Sequence, residues 1–386
     1  MKRILFGVVV AAFSGVLWAN QEIAKFDRNM SVASGVCTNS VKWIDGKNLP
    51  IEGRMYDDVT NYYSRLPDSL TTNVNRGVRV MRHHTSGMMF RFVTDSSQLI
   101  FKWKPYFSNI QMNHMPATGV SGIDVYAWNE KKKMWVYKKT GMVYKYKTGG
   151  VLKVPWKKGQ MCLVNLPLYN GIKSFEVGID EDAGIYKAPA RASGVEKPVV
   201  FYGTSITHGG CASRPGLSFV NIIGRSLDIP VVGLGFSGSG KMEYELSGVI
   251  ARIDASLYVI DTPWNMSPDP RNKECGIPCN YEPFVRNLRA KRPGVPILLA
   301  GMCDVFAGEI DHERADAVKK KDDLVRGIYN KLLAEGMKDI YYLPSEGMLG
   351  YDFEGTVDGV HPNDIGMLRL SECYGKKVAE ILKLKK

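Results

Sequence analysis

Cysteine is scarce in this sequence. Cys37, Cys162, Cys211, Cys275, Cys279, Cys303 and Cys373 are the only seven among 386 residues. So few and so scattered, they cannot form the disulfide framework of a small secreted domain. Only Cys275 and Cys279 sit close together, in Glu274-Cys-Gly-Ile-Pro-Cys-Asn280. In an oxidising compartment they could staple a surface loop; two free thiols are the alternative. No second Cys or His pair stands at a metal-ligand spacing, so neither a metal nor a cofactor is expected. Long apolar runs are missing after the first eighteen residues, which predicts no integral membrane span in the mature chain. Also absent are the Gly-Lys-Ser/Thr ending of a phosphate-binding loop and the spacing of a dinucleotide fingerprint.

What remains is a globular composition, 45% hydrophobic and 23% charged, at a length that suits two domains better than one. Met1-Lys2-Arg3, the apolar run Ile4 to Trp18 and the small Ala19 are ordered as in a secretory signal peptide over residues 1–19. The expected location is therefore secreted or periplasmic, with a retained N-terminal anchor as the alternative. The formal charge of +12 is diffuse. It is densest from Lys131 to Lys158, where lysines interleave with Trp135, Tyr137, Tyr144, Tyr146 and Trp156. Such alternation describes strands with one buried and one solvated face, so no nucleic-acid partner is expected, although attraction to an acidic polysaccharide stays open.

Periodicity divides the chain. Residues 20–193 are expected to form an all-β sandwich. The segments Met88–Val93, Leu99–Trp103, Gly122–Tyr126, Lys133–Tyr137, Met142–Tyr146, Cys162–Leu166 and Ser174–Gly178 are short and rich in β-branched and aromatic residues. Turn chemistry such as Tyr169-Asn-Gly171 and Thr148-Gly-Gly150 separates several of them. In residues 194–386, strands at Pro198–Tyr202, Ile229–Gly233, Leu257–Ile260, Val295–Ala300 and Asp339–Leu343 alternate with helices. Those helices are predicted at about 217–227, 281–291, 312–335 and 365–384. That rhythm predicts a parallel α/β sheet, whose ligands bind at the carboxyl ends of the strands.

The strand ends carry the chemistry. The first runs into Gly203-Thr-Ser-Ile-Thr-His-Gly-Gly210, where the hydroxyl of Ser205 is expected to stand exposed at the sheet edge. The second runs into Gly235-Phe-Ser-Gly-Ser-Gly240, whose glycines let backbone N–H groups approach a ligand. The third ends in Asp261-Thr-Pro-Trp-Asn265, which brings a side-chain amide donor. Before the last helix, Asp358-Gly-Val-His361 can present a carboxylate and an imidazole from one loop. Any one of these has a bland explanation, as a turn, a cap or a surface histidine. Four in this order at strand ends point to nucleophilic catalysis by a serine.

On these residues the second half resembles the SGNH (GDSL-type) hydrolase superfamily, in which the nucleophile block reads Gly-Asp-Ser. Here it reads Gly203-Thr204-Ser205, and the usual glycine before Asn265 is missing. The first half is similar to the β-sandwich that precedes a secreted bacterial subgroup. Its motif, of the form Gly-x-Asp-Leu-Tyr, matches Gly122-Ile-Asp-Val-Tyr126. The resemblance implies a flavodoxin-like three-layer α/β/α hydrolase behind a jelly-roll-like sandwich. It implies Ser205, His361 and Asp358 as the catalytic triad, and Ser205, Gly238 and Asn265 as oxyanion donors. It also implies an esterase removing small acyl groups, most simply O-acetyl from carbohydrates. Its partner would be an acylated glycan or another small ester. His208, Trp264 and His114 are candidate pocket residues, and the Asn113–Gly122 loop is expected to narrow the site. A lipid or thioester acylhydrolase, or a glycan-binding protein with an inactive hydrolase half, are the competing readings.

Overall fold

The structure, a computed structural model, describes residues 40–70, 74–303 and 312–384. The expected signal peptide and Cys37 lie outside the described residues.

Two antiparallel sheets occupy the first half. One has the order Val41–Asp45, Ile172–Asp180, Gln98–Pro105, Gly149–Pro155, Val143–Lys145. The other has the order Ile185–Lys187, Met89–Thr94, Gln160–Asn165, Ile123–Asn129, Met134–Gly141, with Ile51–Glu52 also pairing to Met89–Thr94. They share a core of Phe90, Phe92, Ile123, Val125 and Val164 from one sheet and Phe101, Trp103, Leu152, Phe175 and Val177 from the other. In the first sheet burial alternates, so Lys102, Lys104 and Lys153 point outward between buried neighbours. The central strands of the second sheet are covered on both faces, which explains why Met89-Phe-Arg-Phe and Ile123-Asp-Val-Tyr-Ala127 are buried without alternation.

Four strands escaped the sequence reading, the short Ile51–Glu52 and Ile185–Lys187 and two longer ones. Val41–Asp45 lies at the edge of its sheet and is mostly exposed. Gly149–Pro155 begins at a Gly-Gly pair that reads as a turn. Gly149 does turn (φ +73°), but Gly150 is a strand residue. A Cβ there would stand 2.2 Å from the Trp103 ring, so the glycine makes room for that indole.

The parallel sheet has the order Val231–Gly235, Val199–Gly203, Leu257–Asp261, Ile297–Ala300, Ile340–Leu343. The second strand lies outside the first, the flavodoxin-like arrangement, whose ligand crevice opens at the carboxyl end of the first strand. The first three strands are buried along their whole length. Phe219–Ser226 and Asp364–Ile381 cover one face, packing on Phe201, Val259 and Leu298. Tyr244–Ile250, Ile277–Lys291 and His312–Ala334 cover the other, over Tyr202, Leu234 and Ile260. Helix Ile277–Lys291 starts before the predicted residue 281, because Pro278 suits a first turn and Pro283 is tolerated further in. The short helix Tyr244–Ile250 had not been anticipated.

The outer face of the second antiparallel sheet packs on the parallel-sheet half, and Met89, Tyr126, Trp135 and Leu163 join the same core as Phe201 and Phe219. The Gly-x-Asp-x-Tyr motif sits in that seam. Asp124, fully buried, accepts hydrogen bonds from Arg214 at 2.7 Å, the Gly216 N–H at 2.8 Å and Asn165 at 2.8 Å. The Arg225 guanidinium lies over the Tyr126 ring, 4.1 Å from its centre. The motif is thus a polar clasp between the halves, holding the segment that follows Ser205. A second tie is Arg65. Wholly buried and without a carboxylate partner among the described residues, it donates to the carbonyls of Gly233 (3.0 Å), Gly235 (2.9 Å) and Met81 (2.7 Å). Val231–Gly235 is the edge strand of the parallel sheet, and Arg65 covers carbonyls that have no neighbouring strand. Burial draws its guanidinium down to about 9, still charged at neutral pH.

Candidate active site

Ser205 opens the short helix Ser205–His208 directly after the strand Val199–Gly203. Thr204 caps that helix, its hydroxyl accepting from the Ile206 N–H at 3.3 Å. The helix lies so close to the neighbouring strand that a Cβ on Gly235 would be 2.1 Å from the His208 nitrogen. Glycine at that position lets the turn bearing Ser205 settle onto the sheet end. Beneath it, Thr207 donates to the buried Asp261 carboxylate at 2.7 Å. Burial pushes that carboxyl up to about 6, against the opposing hydrogen bonds from Thr207 and Tyr374.

The loop before the last helix brings the acid and the imidazole. Asp358 Oδ1 accepts from the backbone N–H groups of Val360 (3.0 Å) and His361 (2.8 Å). Its Oδ2 faces His361 Nδ1 at 2.7 Å, and His361 Nε2 faces Ser205 Oγ at 2.9 Å. Partial burial raises the Asp358 carboxyl, but the bonds from His361 and Val360 outweigh this and bring it to about 2. An ionised carboxylate at Nδ1 holds the ring proton there, so Nε2 presents a lone pair and accepts the Ser205 hydroxyl proton. Ser205, His361 and Asp358 form one hydrogen-bonded line between residues 156 positions apart in the chain.

The second and third blocks meet the first at Gly203. The Phe236 N–H donates to the Gly203 carbonyl at 2.9 Å, and the Phe236 carbonyl accepts from Asn265 Nδ2 at 3.2 Å. One proton of the Asn265 amide is thereby anchored, leaving the other free to point elsewhere. Gly238 stands exposed at the tip of the loop.

The three candidate pocket residues part company. His114, exposed on its loop, has its ring 5.8 Å from that of His361. Trp264 is partly buried, its Nε1 donating to the Cys303 carbonyl at 2.9 Å. His208 is instead fully buried, so it has no surface to offer a pocket. It stacks on Tyr169, with ring centres 4.2 Å apart, and shares a hydrogen bond with His84 at 3.1 Å. Burial and the nearby Arg65 cation hold both imidazoles well below the usual histidine range, hence neutral. The position of His208, on a helical turn facing a glycine-bearing strand, was the available clue.

Several supports gave no sequence signal, since each depends on contacts between distant segments. The Tyr169 hydroxyl donates to the Ser205 carbonyl at 3.0 Å. The Cys211 N–H donates to the Pro362 carbonyl at 2.7 Å, and Ser213 is tied to Asp364 through its N–H (2.8 Å) and hydroxyl (2.6 Å). These bonds lock the segment after Ser205 to the loop bearing His361. Cys275 and Cys279 are both free thiols.

Comparison with known proteins agrees with this layout. A model of the GDSL-like lipase/acylhydrolase family matches residues 196–379, and a model of the GxDLY N-terminus of SGNH hydrolase-type esterases matches residues 41–185. The chain belongs to the SGNH (GDSL-type) hydrolases. As a member of this family it is an esterase. Among solved structures, a protein from Bacteroides ovatus described as a GDSL-like lipase is similar over 90% of this chain and 99% of its own, with 28% identity and a TM-score of 0.80. A salicylyl-acyltransferase of a tetracycline biosynthetic pathway, SsfX3, is 18% identical over 88% of this chain and 97% of its own, at a TM-score of 0.70. A family two carbohydrate esterase from Clostridium thermocellum, solved with cellohexaose, is 14% identical over 77% of this chain and 93% of its own, at a TM-score of 0.52. The last two share the fold. No curated protein matches the chain. Among the described residues, no helix is long and apolar enough to cross a membrane.

Proposed function

We propose that this SGNH hydrolase is an exported carbohydrate esterase that removes small acyl groups, acetyl first among them, by a Ser205–His361–Asp358 triad. The unbroken line of bonds at 2.9 and 2.7 Å from the serine oxygen to the carboxylate carries the proposal. His361 takes the Ser205 proton as the oxygen attacks the ester carbonyl, and Asp358 stabilises the imidazolium that forms. The developing oxyanion is received by the N–H groups of Ser205 and Gly238 and by the free proton of the Asn265 amide. His361 then protonates the departing sugar oxygen, and water, deprotonated by the same imidazole, releases the acid. The first half of the chain, residues 20–193, serves as a module that frames the sugar, and its His114 ring lies 5.8 Å from that of His361.

Acetate release from acetylated oligosaccharides, beside a nitrophenyl ester series of increasing chain length, tests the proposal. Acetate release with short-chain preference is expected, together with its loss by several orders of magnitude in Ser205→Ala. Wild-type turnover in Ser205→Ala would refute the triad. Preference for long chains, or binding without turnover, would refute the substrate assignment.

A further inference from the structure

Two side chains beside His361 take part in none of the proton or acyl transfers proposed above. Cys211 is buried and His114 is exposed, and the donor atoms of His114, Cys211 and His361 all lie within 4.8 Å of one another. The cluster is built into the fold. Cys211 is joined to the His361 loop by its bond to the Pro362 carbonyl. The His114 loop is tied to the Cys211 segment, because Thr118 donates to the Ser213 carbonyl at 2.6 Å. A Cβ on Gly119 would be 2.4 Å from the Ala212 carbonyl oxygen, which shows how closely that loop is seated.

Two imidazoles and a thiol around an open position form a borderline-soft donor set that suits zinc. The bond from His361 Nδ1 to Asp358 supplies the carboxylate–histidine pairing that orients imidazole ligands and raises their basicity. With Zn–N near ~2.0 Å and Zn–S near ~2.3 Å, neighbouring donors of a tetrahedral ion stand roughly 3.3–3.6 Å apart. Donors up to 4.8 Å apart must contract by about 1–1.5 Å to reach that range, and the exposed His114 side chain has the most room to move.

We propose that His114, Cys211 and His361 bind Zn²⁺ or a similar borderline divalent ion, and that occupancy takes His361 Nε2 away from Ser205 and stops hydrolysis. The thiol proton passes to solvent as sulfur binds the ion, and no electrons are exchanged. Binding stands on geometry alone; its inhibitory consequence rests on the role proposed for His361.

The test uses the full chain with Cys275→Ser and Cys279→Ser, which remove two partly exposed competing thiols. Zinc is titrated by calorimetry and by esterase assay, and cobalt(II) is used to reveal thiolate ligation through its charge-transfer absorption. One equivalent of zinc is expected to abolish turnover, with recovery on adding EDTA. Adding Cys211→Ala should leave basal turnover unchanged, weaken zinc binding by more than roughly tenfold and remove the cobalt–thiolate band. His114→Ala should weaken binding as well. Unchanged binding in Cys211→Ala, or no thiolate band in its parent, would overturn the site. An occupied site with undiminished turnover would overturn the inhibitory role.

Discussion

Replacing Asp358 with asparagine should disable the enzyme while leaving its shape intact, and the structure dictates how. Asp358 Oδ1 is held by two backbone N–H groups, at 3.0 and 2.8 Å. Only an acceptor can occupy that position, so the asparagine carbonyl must stay there and its NH₂ must turn toward His361 Nδ1. The imidazole then accepts at Nδ1 and carries its proton on Nε2, facing Ser205 Oγ, where it cannot take the serine proton. The wrong tautomer should cost on the order of 10⁴ in kcat, or about 5 kcal/mol of transition-state stabilisation. The assay is steady-state hydrolysis of a short-chain nitrophenyl ester, with the melting temperature measured in parallel to show that the fold survives. If Asp358→Asn kept kcat within tenfold of the parent at an unchanged melting temperature, the tautomer argument would be wrong.

Asn265→Ala should lower kcat by on the order of a hundredfold or more with little change in KM, because its free amide proton acts on charge that develops only in the transition state. An equal loss in binding of a non-hydrolysable substrate analogue would argue against that role. Asp124→Ala removes the partner of Arg214, whose side chain is only 19% exposed, and should destabilise the chain by about 3–5 kcal/mol in denaturant titration. A loss under 1 kcal/mol would show that the clasp is dispensable. Asp180 accepts hydrogen bonds from the Ser97 N–H and hydroxyl and from Gln98, which lower its carboxyl to about 2 despite an opposing desolvation effect. Since its folded value lies below the ordinary 3.8, its stabilisation is present above pH 4 and drains away as pH falls toward 2. Asp180→Asn should flatten the stability profile across that window, and an unchanged slope in acid denaturation would contradict this.

The strands of the parallel sheet were readable because burial on both faces demands continuous apolar runs, such as Val199-Val-Phe-Tyr202. Ser205, Asp358 and His361 were legible because each follows a strand or precedes a helix at a spacing their chemistry requires. Strands with little burial or a glycine start were harder to find. Val41–Asp45 buries little, and the signal of Gly149–Pro155 was masked by a glycine that serves Trp103. His208 misled as a pocket candidate because proximity in sequence to a nucleophile does not say which way a helical turn faces. Arg65, His84 and Tyr169 left no trace in the sequence. Their contacts are with backbone atoms or rings well outside their own segments, and no local pattern encodes such partners.

Arg65 belongs to the first half of the chain, yet it finishes the sheet of the second. Residues 194–386 made alone would lose the guanidinium that occupies the Gly233 and Gly235 carbonyls, and their outermost strand would be bare. A bare margin of that kind recruits whatever strand it meets, including its twin on another molecule. The leading half thus shields the open margin of the parallel sheet, and residues 194–386 produced without it are expected to self-associate more readily than the full chain, which size-exclusion chromatography would check.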